Sequence, residues 1–324
     1  MHNGLKKGIY EMVGLVFYVV VLAIGLLVMI YAAEKSVDHS IIVASASGVS
    51  PLVIGLLFVS IGTDLPEIVN SIVASGLGHL DIDVGDSIGS VLTQFTLIFG
   101  LLCFVAKKPF RINKKIMFVM GSCLLLSLFL VYSTLESGFI SRINALFMMG
   151  GLPVYMVLIY FLVGLEPTVE QSPQRELKKF RHLVLALIGF IGVAVGSYAV
   201  VTSVIEISTI FNVPEYIVSF FAVAIGTSLP ELVVDVRAIR KGESALAYGD
   251  IVGSCIVDST LSIGIGAFIF PQAVSSKLAN TAVIYTIVAC FIALFMLTLR
   301  GTIDRKAGVI LISLYLCSYI LLFL

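Results

Sequence analysis

Apolar residues run through this chain in long, nearly unbroken stretches, and polar residues cluster briefly between them. Stretches of about 20 apolar residues, long enough to cross a hydrocarbon layer, recur from one end to the other. Ten spans are predicted, near 10–33, 51–75, 82–105, 116–135, 143–164, 181–204, 215–238, 245–270, 278–299 and 306–324. Lipid offers backbone amides no partners, so each span is expected to be a helix that satisfies its own backbone. The longest polar stretch, 166–181, holds Pro167, Pro173 and seven charged residues. It reads as a solvated linker, 166–180, between a first five-span unit (1–165) and a second (181–324).

Composition narrows the class further. Hydrophobic residues make up 59% of the 324 and charged ones 12%, about half the charge of a soluble domain. Twenty basic residues balance twenty acidic ones, so the basic surplus of a nucleic-acid face is absent. The first apolar run is read as a span, since no small-residue cleavage site follows it. The five cysteines, Cys103, Cys123, Cys255, Cys290 and Cys317, lie inside apolar runs and are expected to pack as small hydrophobes. His2, His39, His79 and His182 are expected on solvated surface. Loops after the odd-numbered spans carry sixteen of the twenty Lys and Arg residues. The positive-inside bias then puts the linker in the cytoplasm and both termini outside.

The two units share a motif pair at one offset. Gly62-Thr63-Asp64-Leu65-Pro66-Glu67 returns as Gly226-Thr227-Ser228-Leu229-Pro230-Glu231, and Gly85-Asp86-Ser87-Ile88-Gly89-Ser90 as Gly249-Asp250-Ile251-Val252-Gly253-Ser254. Both recurrences are 164 residues apart, and 16 of the 40 positions from Ile61 to Gly100 match their counterparts. Shared apolar composition would match Leu and Val, not two polar motifs without a gap, so the chain is internally duplicated. Five spans per copy is an odd number, so the second copy is expected to enter the membrane inverted. Inverted repeats commonly meet at a midplane site built on interrupted helices. Pro66 and Pro230 sit mid-span, where each is expected to free a backbone carbonyl about a turn earlier.

Spans 2, 3, 7 and 8 carry the acids Asp64, Glu67, Asp86, Glu231, Asp235, Asp250 and Asp258, with no Lys or Arg among them before Arg237. A charge at the bilayer centre costs about 3 kcal/mol on insertion scales. A cluster of one sign therefore calls for cations or protons to neutralise it. Helical spacing places Thr63 beside Glu67 and Thr227 beside Glu231. It also aligns Asp86, Ser90 and Gln94 in one stripe and Asp250, Ser254 and Asp258 in another. Gly85, Gly89, Gly249 and Gly253 offer faces for close helix approach. Carboxylates, hydroxyls, one amide and freed carbonyls suit hard cations rather than zinc or copper.

The paired G-T-[SD]-L-P-E and G-D-x-x-G-S segments resemble the α-repeats of the calcium/cation antiporter superfamily, especially its ten-helix prokaryotic sodium/calcium exchangers. The resemblance implies an all-α polytopic fold of two inverted five-helix repeats in a prokaryotic plasma membrane. It also implies alternating access, with sodium entering as calcium leaves, both as transported substrates and with no cofactor. The lipid bilayer and small cations would be its partners, a monomer would suffice, and no enzyme activity is expected. By position, the family's ligands fall on Thr63, Glu67, Ser90, Thr227, Ser228, Glu231, Ser254 and Asp258. The chain departs from the family at Asp86 and Asp250, where Asn is usual. Asp64 and Asp235 stand where Ser is usual, and Gln94 where Asn or Asp is. Extra carboxylates make protons alternative counter-ions.

Other readings attach to the same residues. Asp86 and Asp250 fit helix N-caps, Asp235 a local ion pair, and Ser90, Gln94 and Ser254 interhelical hydrogen bonding. A passive cation channel would use the same acids. An intramembrane aspartyl protease needs a Gly-x-Gly-Asp signature, but Asp83 and Ala247 replace the first glycine, and inversion would separate Asp86 from Asp250.

Overall fold

A computed structural model describes residues 2–46, 60–106, 108–159, 161–162, 179–242 and 244–323. In chain order its helices are α1 (His2–Ala46), α2 (Ser60–Thr63), α3 (Leu65–Leu77) and α4 (Leu80–Val105). There follow α5 (Lys114–Leu135), α6 (Arg142–Ile159) and α7 (Lys179–Phe211). The bent pair α8 (Glu215–Thr227) and α9 (Leu229–Lys241) leads into α10 (Ser244–Ile269). The chain closes with α11 (Ser276–Arg300) and α12 (Arg305–Phe323).

Eight of the described helices are long and apolar enough to cross a membrane alone, and α8 with α9 makes a ninth bent by 42°. These match nine of the ten predicted spans. The remaining one, 51–75, is described from residue 60 as α2 and α3; its first nine residues, and linker residues 166–178, lie outside the described residues. The longest disagreement in boundary is at α1, which continues past the expected end at 33 to Ala46. Its polar residues there are accommodated in the helix. Lys35 pairs with Asp38 at 3.5 Å, and Ser36 donates to the Ala186 carbonyl of α7 at 3.0 Å.

Between helices in lipid there is no water to expel, so close backbone approach and hydrogen bonds hold the bundle. Helices α1 and α7 lie antiparallel along much of their length. Gly25 abuts Gly196, Gly192 abuts Ala32, and Gly189 abuts Ser36. The deepest helices are α4 and α10, each with 78% of its apolar window buried inside the protein. Gly85 and Gly89 let α4 rest on the backbone of α8: an added Cβ would lie 2.7 Å from the Tyr216 carbonyl oxygen or 2.8 Å from the Phe220 Cα. Around Gly249 and Gly253 nothing described comes within 4 Å. The counterparts of Tyr216 and Phe220 at the 164-residue offset, Leu52 and Leu56, lie outside the described residues.

Short backbone pairings close each end of the bundle. Strand β1 (Phe139–Ile140) pairs antiparallel with β2 (Gln272–Ala273), and Phe110 bridges Ile303. Shifted by 164 residues, Phe139 becomes Ile303 and Phe110 becomes Val274. The two pairings are thus counterparts displaced by one residue.

Candidate cation site

The duplicated motif breaks the helix in both copies at the same place. Asp64 separates α2 from α3 with φ −82° and ψ 7°, and Ser228 separates α8 from α9 with φ −81° and ψ 8°. Pro66 and Pro230 fall in the first turn of the second half-helix, where a missing N–H costs nothing because that donor would be unpaired anyway. The interruption expected at these prolines is present, and the break itself falls two residues before each of them. Glu67 and Glu231 occupy those same first turns, where the positive end of a helix dipole favours negative charge.

The partner helices are distorted at matching points. Six residues of α4 (Thr93–Ile98) and five of α10 (Asp258–Ser262) form π-helical turns, a deviation frequent at functional sites. Gln94 and Asp258 stand at the start of these turns, on the faces where α4 and α10 cross.

Asp64, Glu67, Glu231 and Asp258 are each at most 1% exposed. They stand close enough for Glu231 to sense the charges of Glu67 and Asp64, and Asp258 those of Asp64 and Glu67. Seven of their eight carboxylate oxygens lack a hydrogen-bond partner among the described residues. The eighth, Oδ2 of Asp258, accepts from Gln94 Nε2 at 3.2 Å. That amide also reaches Ser228 Oγ at 3.4 Å, and its carbonyl accepts from Cys255 Sγ at 3.4 Å. Gln94 therefore enters the site as a donor holding Asp258, and Cys255 is tied to the site rather than merely packed.

Most of the predicted residues meet here. Thr227 Oγ1 donates to Asp86 Oδ1 at 3.0 Å and lies 3.4 Å from Ser90 Oγ. Ser254 sits beside Asp64, and its hydroxyl has no partner among the described residues. Half-buried Thr63 ends α2, immediately before the break. Asp86 and Asp250 do not cap helices. Helix α4 starts at Leu80 and α10 at Ser244, so both acids are interior. Asp86 is fully buried and also accepts from Asn70 Nδ2 at 2.6 Å, while half-buried Asp250 faces Asp235 of α9. Asp235 is completely buried, and among the described residues it forms no ion pair and neither oxygen has a donor. Local pairing with basic side chains is thereby corrected.

Sequence reasoning passed over Asn70, which Ser197 Oγ of α7 holds at 3.1 Å. It also passed over Asp83, 1% exposed. The signal was available for both: a lone amide one turn after Glu67, and an acid one turn before Asp86. Three of the histidines expected on solvated surface are partly exposed and also find partners, while the side chain of His2 lies outside the described residues. His79 is half-buried against Glu215 at 2.8 Å, and His39 meets His182 at 3.0 Å.

Helices broken at a shared acidic cluster, inside a bundle of membrane-crossing helices, define a multi-pass membrane protein that handles cations. A profile of the sodium/calcium exchanger protein family matches residues 17–161 and 181–324, and the chain belongs to that family. The inner membrane protein YrbG of Escherichia coli (strain K12) is 31% identical over 262 residues, 77% of this chain and 79% of its own. The solved structure of the sodium-calcium exchanger NCX_Mj is 26% identical with a TM-score of 0.60, covering 94% of this chain and 98% of that one. The crystal structure of the H+/Ca2+ exchanger CAX, at 17% identity, shares the fold with a TM-score of 0.74 over 94% of this chain and 82% of that one.

Proposed function

We propose that the chain is a secondary active antiporter that exchanges Na+ for Ca2+ by alternating access. In this reading ten spans form two inverted units, 1–165 and 181–324, joined by a cytoplasmic linker at 166–180, with both termini outside. One observation carries the reading: four buried carboxylates, two from each copy, converge at helix breaks and π-turns with seven unpartnered oxygens. Such a charge has no basic counterpart among the described ion pairs, and transported cations supply one. The likeness to NCX_Mj, a sodium-calcium exchanger, supports Ca2+ and Na+ as the substrates.

Thr63, Asp64, Glu67, Ser90, Thr227, Ser228, Glu231, Ser254 and Asp258 would offer oxygens to the ions, with Gln94 orienting Asp258 and with Asp86 and Asp250 flanking. No ready-made cage of three His, Cys, Asp or Glu groups is present among the described residues. Alternating access requires that the bound ion favour one conformation over the other, the condition for a ligand to drive a conformational change. A single chain carries the whole set, so a monomer suffices.

Calcium flux into liposomes under an imposed sodium gradient, and then a proton gradient, tests the proposal. Sodium-driven calcium movement against its own gradient is expected. Movement indifferent to both gradients would leave a passive channel and end the antiport reading. A second reading, proton coupling, rests on the additional acids Asp64, Asp86, Asp235 and Asp250, and flux that follows only the proton gradient would establish it.

A further inference from the structure

One buried acid is left out of the central cluster. Asp83 lies in the first turns of α4, one helical turn nearer the chain's exposed 76–78 segment than Asp86. It is 1% exposed. Its Oδ2 accepts from Ser71 Oγ of α3 at 2.8 Å, and its Oδ1 accepts from Ser87 Oγ at 3.5 Å. Among the described residues it forms no ion pair, and the nearest basic side chain in sequence, His79, is engaged by Glu215.

Hydroxyls converge on the same spot. Ser71 Oγ accepts from the Gly266 amide of α10 at 3.1 Å, which leaves that oxygen one free lone pair. Ser75 is 1% exposed, and its hydroxyl has no partner among the described residues. Gly266 is what lets these groups crowd together. A Cβ there would lie 2.5 Å from Ser75 Oγ and 2.5 Å from the Ser71 carbonyl oxygen. The second copy lacks this arrangement: the counterparts of Asp83, Ser71 and Ser75 are Ala247, Asp235 and Ile239.

We propose that Asp83, Ser71, Ser75 and Ser87 form a binding site for one small monovalent metal cation, Na+ in its simplest form, separate from the central carboxylate cluster. A single carboxylate and three hydroxyls supply at most five oxygens and one negative charge. Calcium takes six to eight oxygens and favours more charge, whereas this set matches a monovalent ion. Asp83 also begins the polar stripe that continues inward through Asp86, Ser90 and Gln94. An ion held there stands between the exposed 76–78 segment and the central cluster along α4.

The test is binding of radioactive sodium to the purified full chain in calcium-free buffer. Wild type, Asp83→Asn, Ser75→Ala and the Glu67→Gln/Glu231→Gln double variant are compared. Asp83→Asn is expected to bind one Na+ fewer per chain than wild type while keeping wild-type calcium affinity. Ser75→Ala is expected to retain the ion with roughly tenfold weaker affinity, one oxygen having been withdrawn. The double variant is expected to keep the sodium that Asp83→Asn loses. Equal sodium stoichiometry and affinity in Asp83→Asn and wild type would overturn the proposal and point to a protonated Asp83 within a hydrogen-bond network. If Asp83→Asn does not fold, unchanged sodium affinity in Ser75→Ala overturns it. The inference is independent of sodium coupling at the centre: loss of one Na+ in Asp83→Asn, together with calcium flux that ignores sodium gradients, would sustain this site and refute sodium exchange.

Discussion

Gln94 donates to Asp258 at 3.2 Å, and the two residues are the same position of the duplicated unit, 164 residues apart. Cys255 likewise reaches the carbonyl of its own counterpart, Val91. A position that touches its own copy marks where the two copies meet, here between α4 and α10. The amide and the acid at this crossing thus do one job jointly. If Gln94 orients Asp258, Gln94→Leu leaves a buried carboxylate oxygen without its donor, which costs about 1–3 kcal/mol. Calcium affinity measured by calorimetry should fall at least about tenfold. Cys255→Ala, which removes only the group steadying the amide, should have a smaller effect of the same sign.

Glu67 and Glu231 hold equivalent places in the first turns of α3 and α9. Glu67→Gln or Glu231→Gln keeps the shape and removes one charge. Either change is expected to cut calcium uptake by proteoliposomes at least about tenfold, because charge count sets affinity at hard-cation sites. Full uptake in both variants would show that the cluster is not the transport site.

The helix breaks could be read from the two proline motifs, and the central acids from their sign and duplication. Finer placement could not. The kink falls at Asp64 and Ser228 because a proline is most comfortable just inside a new helix, and spacing alone does not separate that from a proline mid-helix. The capping reading of Asp86 already sits poorly with a span placed from 82, close to the observed start at Leu80. The true boundary is marked by Gly78, whose φ of 91° closes α3, as Gly242 with φ 86° closes α9. Both glycines are conspicuous once treated as helix ends. The ties of Asn70 to Asp86 and Ser197 cross between helices, and no periodicity within one span reveals them.

Gly89 sets how closely α4 approaches α8. Gly89→Ala puts a methyl group within 2.8 Å of the Phe220 Cα and the Ala224 Cβ, so the helices must separate. Overpacking of this kind costs about 1–3 kcal/mol, and thermal unfolding in detergent should shift down accordingly. Gly14→Ala, with nothing within 4 Å, serves as the control and should leave the transition in place or raise it.

Asp304, in the turn between α11 and α12, is held below the usual carboxylate range, first by the Ala307 amide and then by the Arg300 guanidinium. Its Oδ1 accepts from Ala307 N at 3.0 Å, and both oxygens accept from Arg300 at 2.9 Å. A depressed carboxylate stabilises the fold above its unfolded value and loses that contribution as pH falls through its folded value. Asp304→Asn should therefore lower the melting temperature slightly at neutral pH. The gap between variant and wild type should close only below about pH 4.

The matched kinks at Asp64 and Ser228 share one backbone shape but carry different side chains. The first bend presents an acid and the second a hydroxyl. A carrier with two identical halves would treat its two solutions alike. Here the halves have drifted apart in charge while keeping their geometry, so under the proposed exchange the barriers met from the two solutions would be unequal. Forward and reverse turnover would then saturate at different cation concentrations, while the ion gradients alone set the net direction.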